Sequence, residues 1–245
     1  MLTNYEGIRV AVAVPSTERT FLAEFSDSFF ALSRPMNSVY IRPKGAGPLD
    51  HIRNELIMVA QQMQCTHIWM ADTDQIYPQD TLIKLLSSDL PVVAAKVHRR
   101  YPPYDPILLR GDHGNYKAVP EDEWKAGGLI KVDATGCGSI LYKMEVFDQV
   151  PMPWFEFHLE DTVNPIGEDV DFCQKLGRAG VPIHVDCDVK VGHMAMNVIT
   201  EEAYWAYKFS QNKGPVVPRT RTLPKKKNPN VKVEWEGEQD GKKEG

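Results

Sequence analysis

The stretch HIWMADTD, residues 67–74, decides the fold class of this chain. Its first five residues are largely apolar, which predicts a short buried strand, and two carboxylates, Asp72 and Asp74, follow this strand directly. Pro78 then opens a predicted helix whose leucines repeat at helical spacing. In an open α/β sheet, ligands bind beyond the carboxyl ends of the strands, so the acidic pair lies where a site is expected.

Strands and helices alternate on both sides of this stretch. Residues 8–14 form an apolar, mostly β-branched run that predicts a first strand, and phenylalanines four residues apart within 21–32 predict a helix. A second helix begins at Asp50, with Arg53 and Asn54 on its polar face, and residues 90–97 predict another buried strand. This alternation predicts an α/β fold with a mostly parallel, doubly wound sheet in a single domain.

The second half of the chain continues the pattern after an irregular segment. Residues 98–128 are rich in Pro, Gly, Tyr and charge, so we expect loops or short strands that form a pocket rim. The later elements are predicted as strands over 129–133 and 139–142 flanking Thr135-Gly136-Cys137-Gly138, a short helix over 145–150, a helix over 169–179, a strand over 181–189 leading to Gly192-His193, and a last helix over 200–209.

Length, charge and composition exclude several classes of protein. The chain has 245 residues, 42% of them hydrophobic, so it can bury a large core and wholesale disorder is excluded. A net charge of -5 argues against binding nucleic acid by bulk electrostatics. No apolar run approaches the ~20 residues that cross a bilayer, and we expect a soluble, cytoplasmic protein. We expect one domain over 1–212 and a charged, poorly ordered tail over 213–245.

Three groups of side chains carry candidate chemistry. Asp72 and Asp74 lie two residues apart in a turn and can approach one Mg²⁺ or Mn²⁺ ion, which suits a diphosphate; the alternative is a solvated turn that caps the next helix. Glu168 and Asp169 begin a predicted helix, where a carboxylate acts either as a general base or as a cap. His193 follows a strand and is either a metal ligand or a hydrogen-bonded structural histidine.

The order of these pieces resembles a GT-A fold glycosyltransferase, most similar to the family 2 type and its viral and bacteriophage relatives. The resemblance spans residues 8–195. The matching pieces are the opening strand with Pro15-Ser16, the Arg53-Asn54 pair, the strand and acidic turn of residues 67–74, Thr135-Gly136-Cys137-Gly138, the Glu168-Asp169 pair, and Gly192-His193.

The resemblance implies an enzyme that transfers a sugar from a nucleotide-diphosphate-sugar donor to a hydroxyl acceptor with inversion. It implies Mn²⁺ or Mg²⁺ as cofactor, UDP as the expected nucleotide, and a saccharide, a protein or a modified DNA base as acceptor. Asp74, Asp72 and His193 would surround the metal, with Asp72 also on the ribose or sugar side. Asp169, or failing that Glu168, would be the base.

Further residues are assigned to the two sides of the expected site. The basic run of residues 96–100 follows a strand, so its cations face the donor diphosphate or a polyanionic acceptor, unless they form a solvated edge. The donor-side set is Pro15, Ser16, Arg53, Asn54, Asp72, Thr73 and Lys96, and the acceptor-side set is Gly136, Gly138 and Trp154.

Two other functions fit parts of the pattern. An apolar strand ending in Asp-x-Asp also resembles the start of haloacid-dehalogenase-type phosphatases, in which Asp72 would be the phosphoryl nucleophile. That family has the motif on its first strand and a Thr or Val where this chain has Ile76. The second alternative is a non-catalytic module that binds a nucleotide sugar or nucleic acid, and the presence of Asp74, Asp169 and His193 argues against it.

Overall fold

A computed structural model describes residues 5–112, 115–158, 166–195 and 201 of the chain. The described residues up to Ala195 belong to one compact unit, Met1–Met196. The predicted last helix, apart from Glu201, and the predicted tail over 213–245 lie outside the described residues. Within the described ranges, no helix combines the length and the apolar character that a membrane crossing requires.

Most elements predicted from the sequence are present with close boundaries. The strands predicted at 8–14, 67–71 and 90–97 are confirmed, and the strand predicted over 181–189 continues to His193. The strands are β1 Val10–Ala13, β2 Ser38–Ile41, β3 His67–Ala71, β4 Gln75–Ile76, β5 Val92–Val97, β6 Leu109–Arg110, β7 Lys117–Ala118, β8 Leu129–Val132, β9 Ser139–Lys143 and β10 Ile183–His193. The helices are α1 Ala23–Phe30, α2 Leu49–Gln62, α3 Thr81–Ser87, α4 Glu121–Trp124 and α5 Glu168–Arg178, with a 3₁₀ helix at Met144–Asp148.

One large mixed sheet organises the fold. Its strand order is β2-β1-β3-β9-β5-β10-β4, and β8 also pairs with β10. Strands β1, β2, β3, β5 and β10 run in the same direction, while β4, β8 and β9 are antiparallel to their neighbours. The sheet is therefore mostly parallel, as predicted, but β9 is inserted between β3 and β5. This insertion brings the glycine-rich residues 136–138 beside the end of β3, because Ala71 pairs with Ser139.

Helices cover both faces of the sheet because the central strands are apolar on both sides. On β3, Ile68 and Met70 face one core, while Trp69 and Ala71 face the other. Helices α2 and α5 pack on the first face, and α1 and α3 pack on the second. This doubly wound arrangement leaves the carboxyl ends of the parallel strands open at one edge, where the candidate site lies.

Candidate active site

The acidic turn after β3 is held in place by backbone and tyrosine contacts. The Asp72 N–H donates to the Gly138 carbonyl at 2.9 Å. The Tyr77 hydroxyl lies 2.7 Å from the Asp72 carbonyl and 2.9 Å from the Gly138 carbonyl. Burial raises the pKa of Tyr77 well above its ordinary value, so the hydroxyl remains a donor. Tyr77 is not predicted as a site residue from the sequence, where its one signal is its place between the acidic turn and Pro78.

Asp74 and His193 meet at this edge. The His193 Nε2 atom lies 3.2 Å from the Asp74 Oδ2 atom, and His193 Nδ1 donates to the His98 carbonyl at 2.8 Å. The hydrogen bond with Asp74 raises the pKa of His193. Burial tends to raise the pKa of Asp74, but the hydrogen bond from His193 and the nearby Arg100 guanidinium bring it below its ordinary value. Asp74 is therefore an ionised carboxylate with a histidine nitrogen beside it.

The Asp74–His193 pair has the donor chemistry of a divalent metal site. Metal-bound histidines usually donate their other ring N–H to a carbonyl or carboxylate, as Nδ1 of His193 does to His98. The 3.2 Å between Oδ2 and Nε2 is close to the roughly 3 Å that separates neighbouring ligands of one ion. The carboxylate and the imidazole could therefore supply two of the ligands of one divalent ion. The Asp72 carboxylate does not join this pair, because Arg53 binds it.

Arg53 links the two acidic groups of the edge. Its Nη2 atom lies 3.1 and 3.3 Å from the two carboxylate oxygens of Asp72, and its Nε donates to Glu168 Oε1 at 3.2 Å. Burial alone would lower the pKa of Arg53, but Asp72 and Glu168 raise it, so the guanidinium stays charged. Arg53 is only 2% exposed. The polar helix face predicted to be available for a ligand is therefore buried at this position, and Arg53 organises the carboxylates.

Glu168 and Asp169 begin α5 on the other side of Arg53. Burial raises the pKa of both carboxyl groups, and for Glu168 this outweighs the opposing effect of Arg53. The Asp169 Oδ1 atom accepts from the Val170 N–H at 2.8 Å. A Cβ placed on Gly136 would lie 3.8 Å from Asp169 Oδ2, so this glycine borders the carboxylate. Asp169 is partly buried and, among the residues that the structure describes, has no direct arginine contact of the kind that Glu168 has.

Asn54 and Trp154 form part of the scaffold. Asn54 Oδ1 accepts from the backbone N–H groups of Trp154 and Phe155, and its Nδ2 donates to the Phe155 carbonyl at 2.8 Å. The Trp154 indole is 6% exposed, and its N–H is shared by the Phe147 and Val150 carbonyls. In this structure neither side chain offers a free polar group or ring face to a ligand. Asn54, predicted on the donor side, and Trp154, predicted on the acceptor side, instead stabilise the backbone and the core by hydrogen bonds and packing.

The other predicted donor-side residues are dispersed around the edge. Pro15 is buried at the end of β1, and the Ser16 carbonyl accepts from Arg42 Nη2 at 3.3 Å. The Lys96 ammonium lies 4.8 Å from the centroid of the Trp124 ring, and Lys96 is 6% exposed. Lys96 would have to break this contact to reach a diphosphate. Its burial reflects its position on β5, on the covered side of the sheet.

Two open cavities border the Asp74–His193 pair. The larger, about 1140 Å³, includes Thr73, Asp74 and Arg100 in its lining and extends to Glu18 and Phe21. The smaller, about 460 Å³, includes His193, Arg100, Tyr101 and Tyr116. Of the predicted donor-side residues, Thr73 therefore lies on the larger cavity. Arg100 lines both cavities.

A separate cluster of acidic and histidine side chains lies farther along the chain. Among the described residues, Glu156, His158 and Asp171 offer ligand atoms that all lie within 4.8 Å of one another, so this cluster could hold a metal ion. Lys175 already contacts two of these carboxylates, at 2.7 Å from Asp171 and 3.3 Å from Glu156. The cluster therefore carries its own internal cation, unlike a site assembled for a metal alone.

Comparison with known proteins identifies the fold. No family model matches the chain, and no curated protein matches its sequence. GalNAc-T7, in a crystal structure with UDP, GalNAc and Mn²⁺, matches with a TM-score of 0.50 and 13% identity over 86% of this chain. The fold is that of a GT-A glycosyltransferase. The chain spans 45% of the GalNAc-T7 chain. A197 from STIV is a further structural match, with a TM-score of 0.49 and 14% identity over 79% of this chain and 97% of that chain.

The GT-A fold accounts for where the polar residues gather. In this chain the ends of β3 and β10 supply Asp74 and His193, and the start of α5 supplies Asp169. These three residues, each predicted from the sequence, are brought to one edge of one sheet. Arg100 joins them from the loop after β5. The sequence shows the basic run that includes Arg100, but it does not distinguish this arginine from the other basic residues of the run.

Proposed function

We propose that this chain is a metal-dependent glycosyltransferase that moves a sugar from a nucleoside diphosphate donor to a hydroxyl acceptor with inversion. The observation that carries the proposal is the presence, at one sheet edge, of two acidic groups in different environments. Asp74 stands beside the His193 imidazole, whereas Asp169 is a partly buried carboxylate with a raised pKa that forms no salt bridge with any described residue. One group suits the diphosphate and the other suits the acceptor. We propose residues 1–212 as the catalytic domain.

Asp74 and His193 are the residues that would hold Mn²⁺ or Mg²⁺. When bound, the ion would offset the negative charge that develops on the departing diphosphate. The protein fixes the imidazole for this task through the His98 carbonyl, which keeps Nδ1 protonated and leaves Nε2 on the Asp74 side. GalNAc-T7, whose structure contains Mn²⁺ and UDP, supports the same type of cofactor and UDP as the donor nucleotide.

Asp169 is the proposed general base. Because burial raises its pKa, its carboxylate is a stronger proton acceptor than an exposed aspartate. It would take the proton from the acceptor hydroxyl as that oxygen bonds to the anomeric carbon. The bond from this carbon to the diphosphate oxygen breaks at the same time, and the nucleoside diphosphate leaves with the electron pair. Glu168 is less suited to this step because Arg53 occupies its carboxylate.

The larger cavity is the proposed donor site. Its volume of about 1140 Å³ is slightly above the roughly 300–1,000 Å³ of most small-molecule sites, which leaves room for a nucleotide sugar. Thr73 and Asp74 line this cavity. Glu18 also lines it, and Ser16 lies two residues before Glu18 in the loop that follows β1. We propose that the acceptor, a saccharide, a protein or a modified DNA base, approaches from the Gly136 side, where Asp169 is bordered by a residue without a side chain.

The phosphatase alternative is disfavoured by the contacts of Asp72. A phosphoryl nucleophile needs a free carboxylate oxygen, whereas Arg53 Nη2 lies within 3.3 Å of both oxygens of Asp72. The same contact explains how Asp72 supports the site without binding the metal. Arg53 ties it to Glu168, and so ties the end of β3 to the start of α5.

Two substitutions test the proposal because they separate binding from transfer. We expect Asp74→Asn to remove Mn²⁺-dependent UDP binding, measured by calorimetry. We expect Asp169→Asn to bind UDP with Mn²⁺ as the wild type does and to lose sugar transfer, measured with a panel of UDP-sugars and acceptors. Asp80→Asn is the matched control, since Asp80 is an exposed aspartate that pairs with Lys84 outside the site.

The outcomes distinguish the enzyme from the alternatives. If the wild type binds UDP only with Mn²⁺ and neither it nor any variant transfers or hydrolyses a sugar, the chain is a binding module. If Asp74→Asn and Asp169→Asn both behave like Asp80→Asn in binding and in transfer, the assignment of the site is overturned. Release of phosphate from phosphate esters that depends on Asp72 would favour the phosphatase.

A further inference from the structure

Arg100 occupies the carboxylate that the proposed metal needs. Its Nη1 atom lies 3.0 Å from Asp74 Oδ2, the same oxygen that lies 3.2 Å from His193 Nε2. Arg100 belongs to the loop that follows β5, and the base of this loop is fixed by the Arg99 N–H, which donates to the Asp105 carbonyl at 3.0 Å. The guanidinium therefore stands as a monovalent cation at the proposed site of a divalent one.

This ion pair is of the kind that breaks readily. The Arg100 side chain is 43% exposed and that of Asp74 is 35% exposed. Ion pairs at such exposure change an equilibrium by a factor of about five or less. Arg53 is the contrasting case, since it is 2% exposed and cannot leave its carboxylates for water. Of the two described arginines that contact the carboxylates of the acidic turn, Arg100 is thus the one exposed enough to change partners.

Two cations compete for one carboxylate oxygen. A divalent ion held by Asp74 would repel the guanidinium that contacts this carboxylate, so binding of the ion would favour release of Arg100. The released side chain remains next to the proposed donor, because Arg100 lines both the cavity with Thr73 and Asp74 and the cavity with His193. The planar guanidinium group can donate two parallel N–H hydrogen bonds to phosphate oxygens, and it is less strongly hydrated than an ammonium group.

We propose that Arg100 exchanges partners during donor loading, from Asp74 before the metal binds to the donor diphosphate afterwards. This inference rests on the proposed function, because it assumes that Asp74 and His193 take a divalent ion. Arg100 is then a diphosphate-binding residue that also keeps the Asp74 carboxylate neutralised before the ion arrives. Removing its side chain should strengthen metal binding and weaken diphosphate binding, and these opposite effects separate exchange from a simple structural ion pair.

The test measures the binding of Mn²⁺ and the binding of inorganic pyrophosphate to the full chain. Mn²⁺ affinity is measured without any nucleotide, from the loss of the free-Mn²⁺ electron paramagnetic resonance signal. Inorganic pyrophosphate affinity is measured by calorimetry at saturating Mn²⁺. For Arg100→Ala we expect Mn²⁺ to bind about two- to fivefold more tightly and pyrophosphate to bind roughly tenfold or more weakly. Arg110→Ala is the matched control, since Arg110 is 44% exposed and pairs with Glu123 outside both cavities.

Arg100→Lys provides a second, conservative variant. It keeps the positive charge but lacks the planar guanidinium group, so we expect Mn²⁺ affinity near that of the wild type and pyrophosphate affinity between those of the wild type and Arg100→Ala. If Arg100→Ala fails to tighten Mn²⁺ binding or fails to weaken pyrophosphate binding, while the wild type binds both and Asp74→Asn binds neither, the exchange is overturned and the proposed function stands. If the wild type binds no Mn²⁺, the proposed function and the exchange are both overturned.

Discussion

At the scale of single residues, the site contains two aspartates whose pKa values shift in opposite directions. Burial acts to raise the pKa of both carboxyl groups. For Asp74, the hydrogen bond from His193 and the charge of Arg100 outweigh burial and lower its pKa. For Asp169, the backbone N–H of Val170 does not outweigh burial, and its pKa stays raised. Environments that separate two carboxyl groups in this way allow one to bind a cation and the other to accept a proton.

Asp169→Asn tests this difference through stability and activity together. Because the pKa of Asp169 is higher in the folded than in the unfolded chain, the folded protein loses stability as pH rises from the unfolded value of 3.8 through the folded value. An asparagine side chain does not ionise, so the variant does not lose this stability as pH rises. We therefore expect Asp169→Asn to melt at a higher temperature than the wild type at pH 7 and at the same temperature below pH 3.8, while transfer falls about 10²- to 10⁴-fold.

The control for this prediction is Asp74→Asn, for which the sign is reversed. Its folded pKa is lowered, so the ionised carboxylate stabilises the fold above the unfolded pKa, and this stability is lost as pH falls through the folded pKa. Asp74→Asn should melt below the wild type at pH 7. A lower melting temperature for Asp169→Asn at pH 7 would contradict the assignment of Asp169 as a carboxylate whose burial costs the folded protein more than its hydrogen bond returns.

Arg53 is the residue on which the buried charges depend. We expect Arg53→Met to destabilise the fold by about 3–5 kcal/mol, because it leaves Glu168, and in part Asp72, without a cation. The double variant Arg53→Met/Glu168→Gln should recover part of this loss, since it removes the more buried of the two carboxylates. Chemical denaturation of the three proteins measures the free energies of unfolding. Equal stability of Arg53→Met and the wild type would show that the bridge contributes nothing.

At the scale of elements, the pairing of β9 with β3 shapes the acidic turn. A Cβ on Gly138 would overlap the amide nitrogen of the buried Gln75 side chain and would lie 3.2 Å from Asp72 Oδ2. A Cβ on Gly136 would meet its nearest neighbour, Ile107, at 3.5 Å, an ordinary contact. Of these two glycines of one loop, Gly136 can therefore accept a methyl group, whereas Gly138 cannot without a shift of Gln75.

The two glycines provide a matched pair of variants. We expect Gly138→Ala to shift the acidic turn, destabilise the fold by about 1–3 kcal/mol and weaken Mn²⁺ binding. Gly136→Ala should leave both unchanged. Because the overlap is with one side chain, Gly138→Ala/Gln75→Ala should regain most of the lost Mn²⁺ affinity. Paramagnetic resonance titrations and thermal melts measure these effects, and a Gly138→Ala variant that binds Mn²⁺ as the wild type does would refute the steric argument.

The sequence predicts where helices and strands lie along the chain better than it predicts which strands pair in the sheet. The strand before Asp72 and the helix after Gly167 are visible because apolar spacing is a local property of the chain. The place of β9 between β3 and β5 is not visible, since strand order depends on pairings between distant residues. Without that order, the contact of Gly138 with the acidic turn cannot be foreseen.

The same limit applies to the candidate site. Asp74, Asp169 and His193 were predicted as site residues because each follows a strand or begins a helix, which is where sites form in this class of fold. Arg53 and Asn54 were predicted to lie on a polar face of α2 that is available for a site, yet both are buried. Their partners, Glu168 and Phe155, lie more than 100 residues away, and periodicity cannot reveal such contacts.

At the scale of the whole molecule, the site joins segments from both halves of the chain. The ends of β3 and β5 come from the first hundred residues, while Glu168, Asp169 and His193 come from the last part of the compact unit. A ligand that contacts both sets binds the folded chain and not the unfolded one. Its binding free energy therefore adds to the stability of the unit.

Thermal stability thus reports donor and metal binding without an acceptor. At a ligand concentration 100 times its dissociation constant, binding adds about 2.7 kcal/mol, which corresponds to roughly 5–11 °C for a unit of this size. We expect UDP with Mn²⁺ to produce such a rise, EDTA to reverse it, and Asp74→Asn to abolish it. Asp169→Asn should retain it, because Asp169 is assigned to the acceptor. A rise that persists in Asp74→Asn would mean that the nucleotide binds elsewhere, because a ligand held through the Asp74–His193 pair cannot stabilise a chain in which that pair is broken.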